Sequence, residues 1–320
     1  ERIETLERKL RILTEEVQSL RRHQGTAAPP GGTFAPKEAG RAFGFGRSAS
    51  RVYQQAESGV SWAGYGEAHL RLSSEPPEAD PAGGDRSGFF RQALYLGYRY
   101  SDRFLLNSEM EIEHGSKFAV EFAYLDFLYS DHARFRAGLL LAPLGFINQQ
   151  HEPADYFGSD RPLLADVLIP TSMRENGLGA YGTVGDQWQY YLYVTNSLDG
   201  TGLRPGTLAE ARQSGFSGDD GARTEDYAVT GRFDWAPLVG ARLGVSVWHG
   251  DTGQRRDFAG SEPAVPLTLA DVHAQWHRGP WRLRGVYAEA RIGDTRAVNQ
   301  YLQQQDTGLP AEDQILGDKV

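Results

Sequence analysis

The 320-residue chain has no cysteine, two methionines and no long run of apolar side chains. Without cysteine there is no disulfide scaffold, no thiolate metal site and no cysteine nucleophile. The eight histidines show no H-E-x-x-H or similar zinc spacing, and no G-x-S-x-G motif occurs. A catalytic centre, a metal and a cofactor are therefore not expected. A helix that crosses a bilayer needs roughly 20 apolar residues. The longest approach, residues 137–147 (AGLLLAPLGFI), is too short and is broken by Pro143. The membrane architecture left open is a β-barrel, whose half-polar strands escape a hydropathy scan. A concentrated basic face is missing as well: the formal charge is −9, which argues against broad nucleic-acid binding. No signal peptide is visible, and the chain begins at Glu1, so a processed or trimmed start is expected.

What is present is unevenly distributed. Ile3, Leu6, Leu10, Leu13, Val17 and Leu20 alternate spacings of three and four, with charged residues at most other positions. That narrow stripe predicts a self-associating coiled coil over residues 1–24, with a single amphipathic helix packed on its own domain as the alternative. Residues 25–58, rich in Gly, Ala, Pro and Ser, read as a linker. From residue 59 to 320 the texture changes to segments of about ten residues that alternate in polarity, the pattern a tilted barrel strand requires. Eleven such segments are visible: 60–72, 89–100, 104–114, 117–129, 133–142, 177–185, 187–196, 227–235, 241–249, 267–277 and 281–292.

The connections between them sort by length. Short turns at 101–103, 130–132, 185–187, 237–240 and 278–280 alternate with long loops at 73–88, 143–176, 197–226, 250–266 and 293–314; only the turn at 114–117 breaks the rhythm. A barrel with tight turns at one rim and loops at the other has this signature. A soluble sandwich gives no reason for it.

Alternation assigns the faces. Phe104, Leu106, Met110 and Ile112 oppose Leu105, Asn107, Glu109, Glu111 and Glu113. Phe135, Ala137, Leu139 and Leu141 oppose Arg134 and Arg136, and Tyr227, Val229, Phe233 and Trp235 oppose Thr230, Arg232 and Asp234. Ala270, Val272 and Trp276 oppose Asp271 and His273. In a barrel the apolar sets face lipid and the charged sets the interior; in a sandwich the charged sets face water. Aromatic residues near segment ends, among them Tyr98, Tyr129, Trp188 and Trp281, suit the interfacial girdles of a barrel. Between 117 and 129 the apolar set changes face, which predicts a bulge.

Residues 62–70 read WAGYGEAHL, and residues 135–182 contain AGLLLAPLGFINQQHEP, YFGSDRP and IPTSMRENGLGAYG. From about residue 60 onward these resemble a family of Gram-negative outer-membrane porins, related more broadly to the phosphate-selective O/P-type porins. The resemblance implies an antiparallel transmembrane β-barrel of 16 strands, a homotrimer, an outer-membrane location in contact with lipid and lipopolysaccharide, and a coiled coil in some relatives. Val320 is not the aromatic C-terminal residue such barrels carry, so further strands are expected beyond it. The mixed charge of the inward set gives no basis for phosphate selectivity.

Loop 143–176 is too long for an idle connection. It holds His151, Glu152, Asp155, Asp160, Arg161, Asp166, Arg174 and Glu175. One reading folds it into the barrel as the constriction, with its carboxylates facing Arg134, Arg136 or Arg232; the other makes it an external cap or trimer contact. Glu109, Glu111 and Glu113 form an acidic strip, either selectivity-tuning or simply solvated. Asp219, Asp220, Glu225 and Asp226 match no EF-hand spacing and read as a solvated acidic loop. The function expected is passive diffusion of small hydrophilic solutes or ions. The alternatives are an outer-membrane hydrolase, and a structural barrel whose coiled coil tethers it to the cell wall.

Overall fold

The computed structural model describes residues 43, 45–55, 57–72, 85–170, 172–213, 221–305 and 316–318. Segment 1–24, expected to form a coiled coil, lies outside them, as do Asp219 and Asp220. Eleven strands occupy the eleven segments: β1 (Gly59–Arg71), β2 (Arg86–Arg99), β3 (Phe104–Glu113), β4 (Lys117–Phe127), β5 (Arg134–Leu141), β6 (Arg174–Val184), β7 (Trp188–Asn196), β8 (Tyr227–Trp235), β9 (Ala241–Asp251), β10 (Pro266–Arg278) and β11 (Trp281–Ile292). They form one antiparallel sheet in strict sequence order, each strand paired with its chain neighbours. Among the described residues β1 and β11 each pair on one side only, so the sheet is open. Gly185 and Gly279 close two of the tight turns with φ of +59° and +58°, a conformation that costs glycine nothing.

The two faces of the sheet have inverted polarity. On β8, Tyr227, Val229 and Phe233 are 61%, 49% and 43% exposed, whereas Arg232 is 3% exposed and Thr230 and Asp234 are fully buried. On β3, Phe104 and Ile112 are exposed while Asn107, Glu109 and Glu111 are buried; on β10, Val272 is exposed while Asp271 and His273 are buried. Leu141, expected outside, is buried where β5 runs into the following loop.

The face switch on β4 is also present. The β3–β4 register skips Glu121 between the pairs Glu109↔Phe122 and Met110↔Val120. This bulge turns Glu121, Phe122, Tyr124 and Asp126 inward and leaves Phe118 and Leu125 exposed. It therefore falls before Phe122 and Tyr124, which in the sequence continue the alternation of Phe118 and Val120.

Two expectations need correction. The linker expected over 25–58 does not extend to its end, because Phe45, Ala49, Val52 and Tyr53 are buried against the inner face of the sheet. Four apolar side chains in an otherwise Gly/Ala/Ser-rich stretch suffice to dock it. The second correction concerns the segment after β11, which reads as a loop but forms a helix. Apart from a short helix α1 (Leu163–Val167), the described residues contain α2 (Thr295–Gln305), which buries Val298 and Leu302 one turn apart. Its glutamine-rich outer face hides the period. These two side chains join Leu198, Leu203, Phe258, Val265 and Trp248 in an apolar cluster at the long-loop rim.

Candidate functional site

The inner face carries charged groups arranged in three clusters. The first lies toward the short-turn rim. Arg136 on β5 meets Asp126 on β4 through two hydrogen bonds of 2.8 Å, in the bidentate geometry that suits a guanidinium. Tyr53 and Tyr181 donate to the same carboxylate at 2.5 and 2.6 Å. The Arg136 guanidinium also lies over the rings of Tyr124, Tyr181 and Phe45, at 4.0, 4.6 and 4.8 Å. Charge and hydrogen-bonding capacity are thus satisfied inside the fold.

A second cluster pins the start of the long loop. Both sides of Gly145 are held: its N–H donates to Asp271 (3.0 Å) and Ser246 (3.2 Å), and its carbonyl accepts from Arg232 (2.5 Å). Arg232 is itself paired with Asp234 at 2.8 Å. His273 bridges Asp271 (2.6 Å) and Asp234 (2.8 Å), and its ring packs edge-on against Phe146. Ser246 meets Asp271, not the imidazole. Ser246 and His273 thus share one carboxylate partner, Asp271.

The third cluster lies opposite, on β1 to β4. Arg91 faces Glu67 (2.9 Å), Glu111 (2.9 Å) and Glu113 (3.6 Å). Glu109 meets the loop residue His151 at 3.0 Å. The other ring nitrogen of His151 faces the Asn148 carbonyl at 3.1 Å. A carbonyl on one nitrogen and a carboxylate on the other favour the doubly protonated ring. Burial works against that charge, but Glu109 and Glu121 together outweigh it and the pKa is raised to about 9. Loop 143–176 therefore crosses the concave face, anchored to β8–β10 at Gly145 and to β3 at His151.

The remaining loop residues divide. Glu152 is buried and accepts from the Ser48 and Ala49 N–H groups at 2.9 and 3.5 Å. Burial pushes its carboxyl above the usual range, and the Ser48 N–H holds it back in part. Arg174 and Glu175, expected in the loop, instead begin β6: Arg174 pairs with Glu121 (2.9 Å), and Glu175 accepts from the Gln213 N–H (2.7 Å). The Asp155 carbonyl accepts from Arg284 on β11 at 2.7 Å. Asp160 and Arg161 make looser contacts, with Arg71 (3.7 Å) and Asp166 (3.8 Å). In the acidic loop, Glu225 pairs with Arg255 at 3.3 Å and Asp226 accepts from the Gln254 N–H at 2.6 Å.

The arginines expected to face loop carboxylates do not. Arg134 takes Asp131 (2.6 Å), Arg136 takes Asp126 and Arg232 takes Asp234. The same strand (Asp234), a neighbouring strand (Asp126) or the adjoining turn (Asp131) supplies a carboxylate at fixed distance, so pairing within the wall wins over pairing across the interior. Glu109, Glu111 and Glu113 likewise are not an isolated solvated strip, because Arg91 and His151 engage them. Alternation places Asp234, Asp271 and His273 inward but gives no reason to single them out. Asp126 is hidden by the bulge, and Tyr53 by its low-complexity surroundings.

No family model matches the chain. A relative from Aquifex aeolicus (strain VF5), named only "Uncharacterized protein", is 34% identical over 266 residues. The alignment covers 80% of this chain and 58% of that protein, so the chain spans less than two thirds of its relative's length. Among solved structures, Salmonella typhi OmpF in complex with daunomycin is similar with a TM-score of 0.45 and 12% identity, covering 73% of this chain and 66% of that chain. A loop-L8 deletion mutant of OmpT, an outer membrane protein of Vibrio cholerae, has a TM-score of 0.33 and 10% identity, covering 73% and 82%.

Proposed function

We propose that this chain forms the greater part of an outer-membrane β-barrel porin, through which small hydrophilic solutes or ions diffuse passively. The inverted polarity of the sheet carries this reading. A protein surrounded by water gains by burying apolar side chains and exposing charged ones. Here Arg136, Asp126, Arg232, Asp234 and Glu109 are buried, while Trp62, Val229, Leu192, Val272 and Tyr287 on the opposite face are exposed. Lipid is the solvent that makes this arrangement favourable, and a sheet can meet lipid only if its edges are closed.

Loop 143–176 is the constriction in this reading. Its anchor points at Gly145 and His151 hold it across the interior where a narrowing would lie. Outer-membrane lipid and lipopolysaccharide then cover the apolar face, and the homotrimer remains part of the proposal.

One observation favours a second reading. Residues 45–55 occupy part of the interior, as they would in a barrel sealed by its own chain and serving as an anchor for a coiled-coil tether. Planar-bilayer conductance of the refolded protein separates the two. The porin reading predicts stable stepwise openings, with a reversal potential under a KCl gradient that reports charge preference. A folded barrel that conducts neither as refolded nor with residues 45–55 displaced would overturn it and leave the tether.

A further inference from the structure

We propose that residues 45–55 form an internal latch, held by the Glu152 carboxylate of the long loop, whose release widens the conducting path. This rests on the porin reading. The segment is not part of the sheet. It forms a single 3-10 turn (Arg51–Gln54) lying against the inner face, where Phe45, Ala49, Val52 and Tyr53 bury among Tyr95, Phe122, Tyr124 and Tyr181. No ladder hydrogen bond ties it down, so it can leave without breaking a strand pair.

What holds it is local and specific. Glu152 receives the backbone N–H of Ser48 at 2.9 Å and the Ser48 hydroxyl at 3.3 Å. Asn107 on β3 donates to the Ala49 carbonyl at 2.8 Å, and Tyr53 donates to Asp126 at 2.5 Å. Two glycines are shaped to this contact. A Cβ on Gly46 would collide with the Glu152 carboxyl, and one on Gly97 would lie 2.7 Å from Val52. The chain then leaves the interior through Gly59, whose φ of +149° few other residues adopt, and enters β1.

The geometry joins two otherwise separate obstructions. The loop enters from the rim where β5 ends and β6 begins, while residues 45–55 lie at the opposite end, beside Asp126 and Arg136. They meet at Glu152. A carboxylate accepting three hydrogen bonds from one short segment is a clasp: opening it removes the loop's hold on the segment and leaves only its contacts with the wall. The latch thus sets the width of the path at the short-turn end, and the loop sets it in the middle.

The absence of native cysteine makes the test clean. Ser48→Cys with Glu152→Cys in the full chain allows one disulfide, which locks the segment in place. Val52→Glu instead expels it by placing a charge among aromatic rings. Single-channel conductance is then measured in planar bilayers, with folding checked by the gel-mobility shift on heating. The latch predicts that the oxidised pair conducts least, and that dithiothreitol or Val52→Glu raises conductance by about twofold or more. A silent wild type that conducts once unlocked supports the latch equally. Equal conductance in the wild type, the oxidised pair and the reduced pair would overturn it and leave the porin reading intact. Folded protein that is silent in every form would overturn both. Should Val52→Glu fail to fold, the disulfide pair alone decides.

Discussion

Arg136 shows most clearly what the interior requires of single residues. Its guanidinium is enclosed by three rings and meets one carboxylate, Asp126. Removing one partner of a buried pair leaves an uncompensated charge, which typically costs about 3–5 kcal/mol, whereas replacing both with uncharged groups costs far less. Asp126→Asn is therefore expected to destabilise strongly in urea unfolding followed in lipid vesicles. Asp126→Asn with Arg136→Met should recover much of that loss, because the two sites share one interaction. A double variant whose cost equals the sum of the singles would show that the pair does not act as a unit.

At the scale of an element, loop 143–176 is a strap fastened to the sheet at Gly145, at His151 and, through the Asp155 carbonyl, at Arg284. The Gly145 fastening uses a peptide group and does not titrate in itself. The His151 fastening does. Glu109 and Glu121 favour the imidazolium, while burial and Arg161 oppose it, and the outcome is a pKa of about 9 against an unfolded value of 6.5. A raised folded pKa means that the stabilisation is complete below pH 6.5 and is lost as pH rises through about 9. Limited proteolysis at the exposed stretch 158–160 is expected to accelerate about tenfold or more between pH 7 and pH 10. His151→Gln should cut quickly at both pH values. An unchanged pH profile in His151→Gln would place the titrating group elsewhere.

Over the whole molecule, the strand order and the sorting of faces were legible in the sequence, because both follow from a period of two. Phe104, Val229 and Val272 lie outside and Glu109, Arg232 and Asp271 inside, as alternation requires. What escaped was whatever depends on a third dimension. The bulge at Glu121 moved Phe122, Tyr124 and Asp126 to the inner face, and no local pattern fixes the residue at which a strand slips. The partner of Arg136 comes from the β4–β5 register, and the hold of Arg232 on the Gly145 carbonyl comes from the path of the loop; a list of charged residues contains neither. Residues 45–55 read as linker because composition averages out four buried side chains.

The central claim is that the apolar face meets lipid and the charged face does not. With no native cysteine to remove, single spin labels can be placed at successive positions from 227 to 235 on β8. Accessibility to oxygen, which partitions into lipid, is then compared with accessibility to a water-soluble nickel complex in reconstituted vesicles. The account predicts a period of two, with labels at 227, 229, 231, 233 and 235 favouring oxygen and those at 228, 230, 232 and 234 shielded from it. Odd-numbered labels that favour the nickel complex would mean that the apolar face meets water, and the membrane barrel would be contradicted.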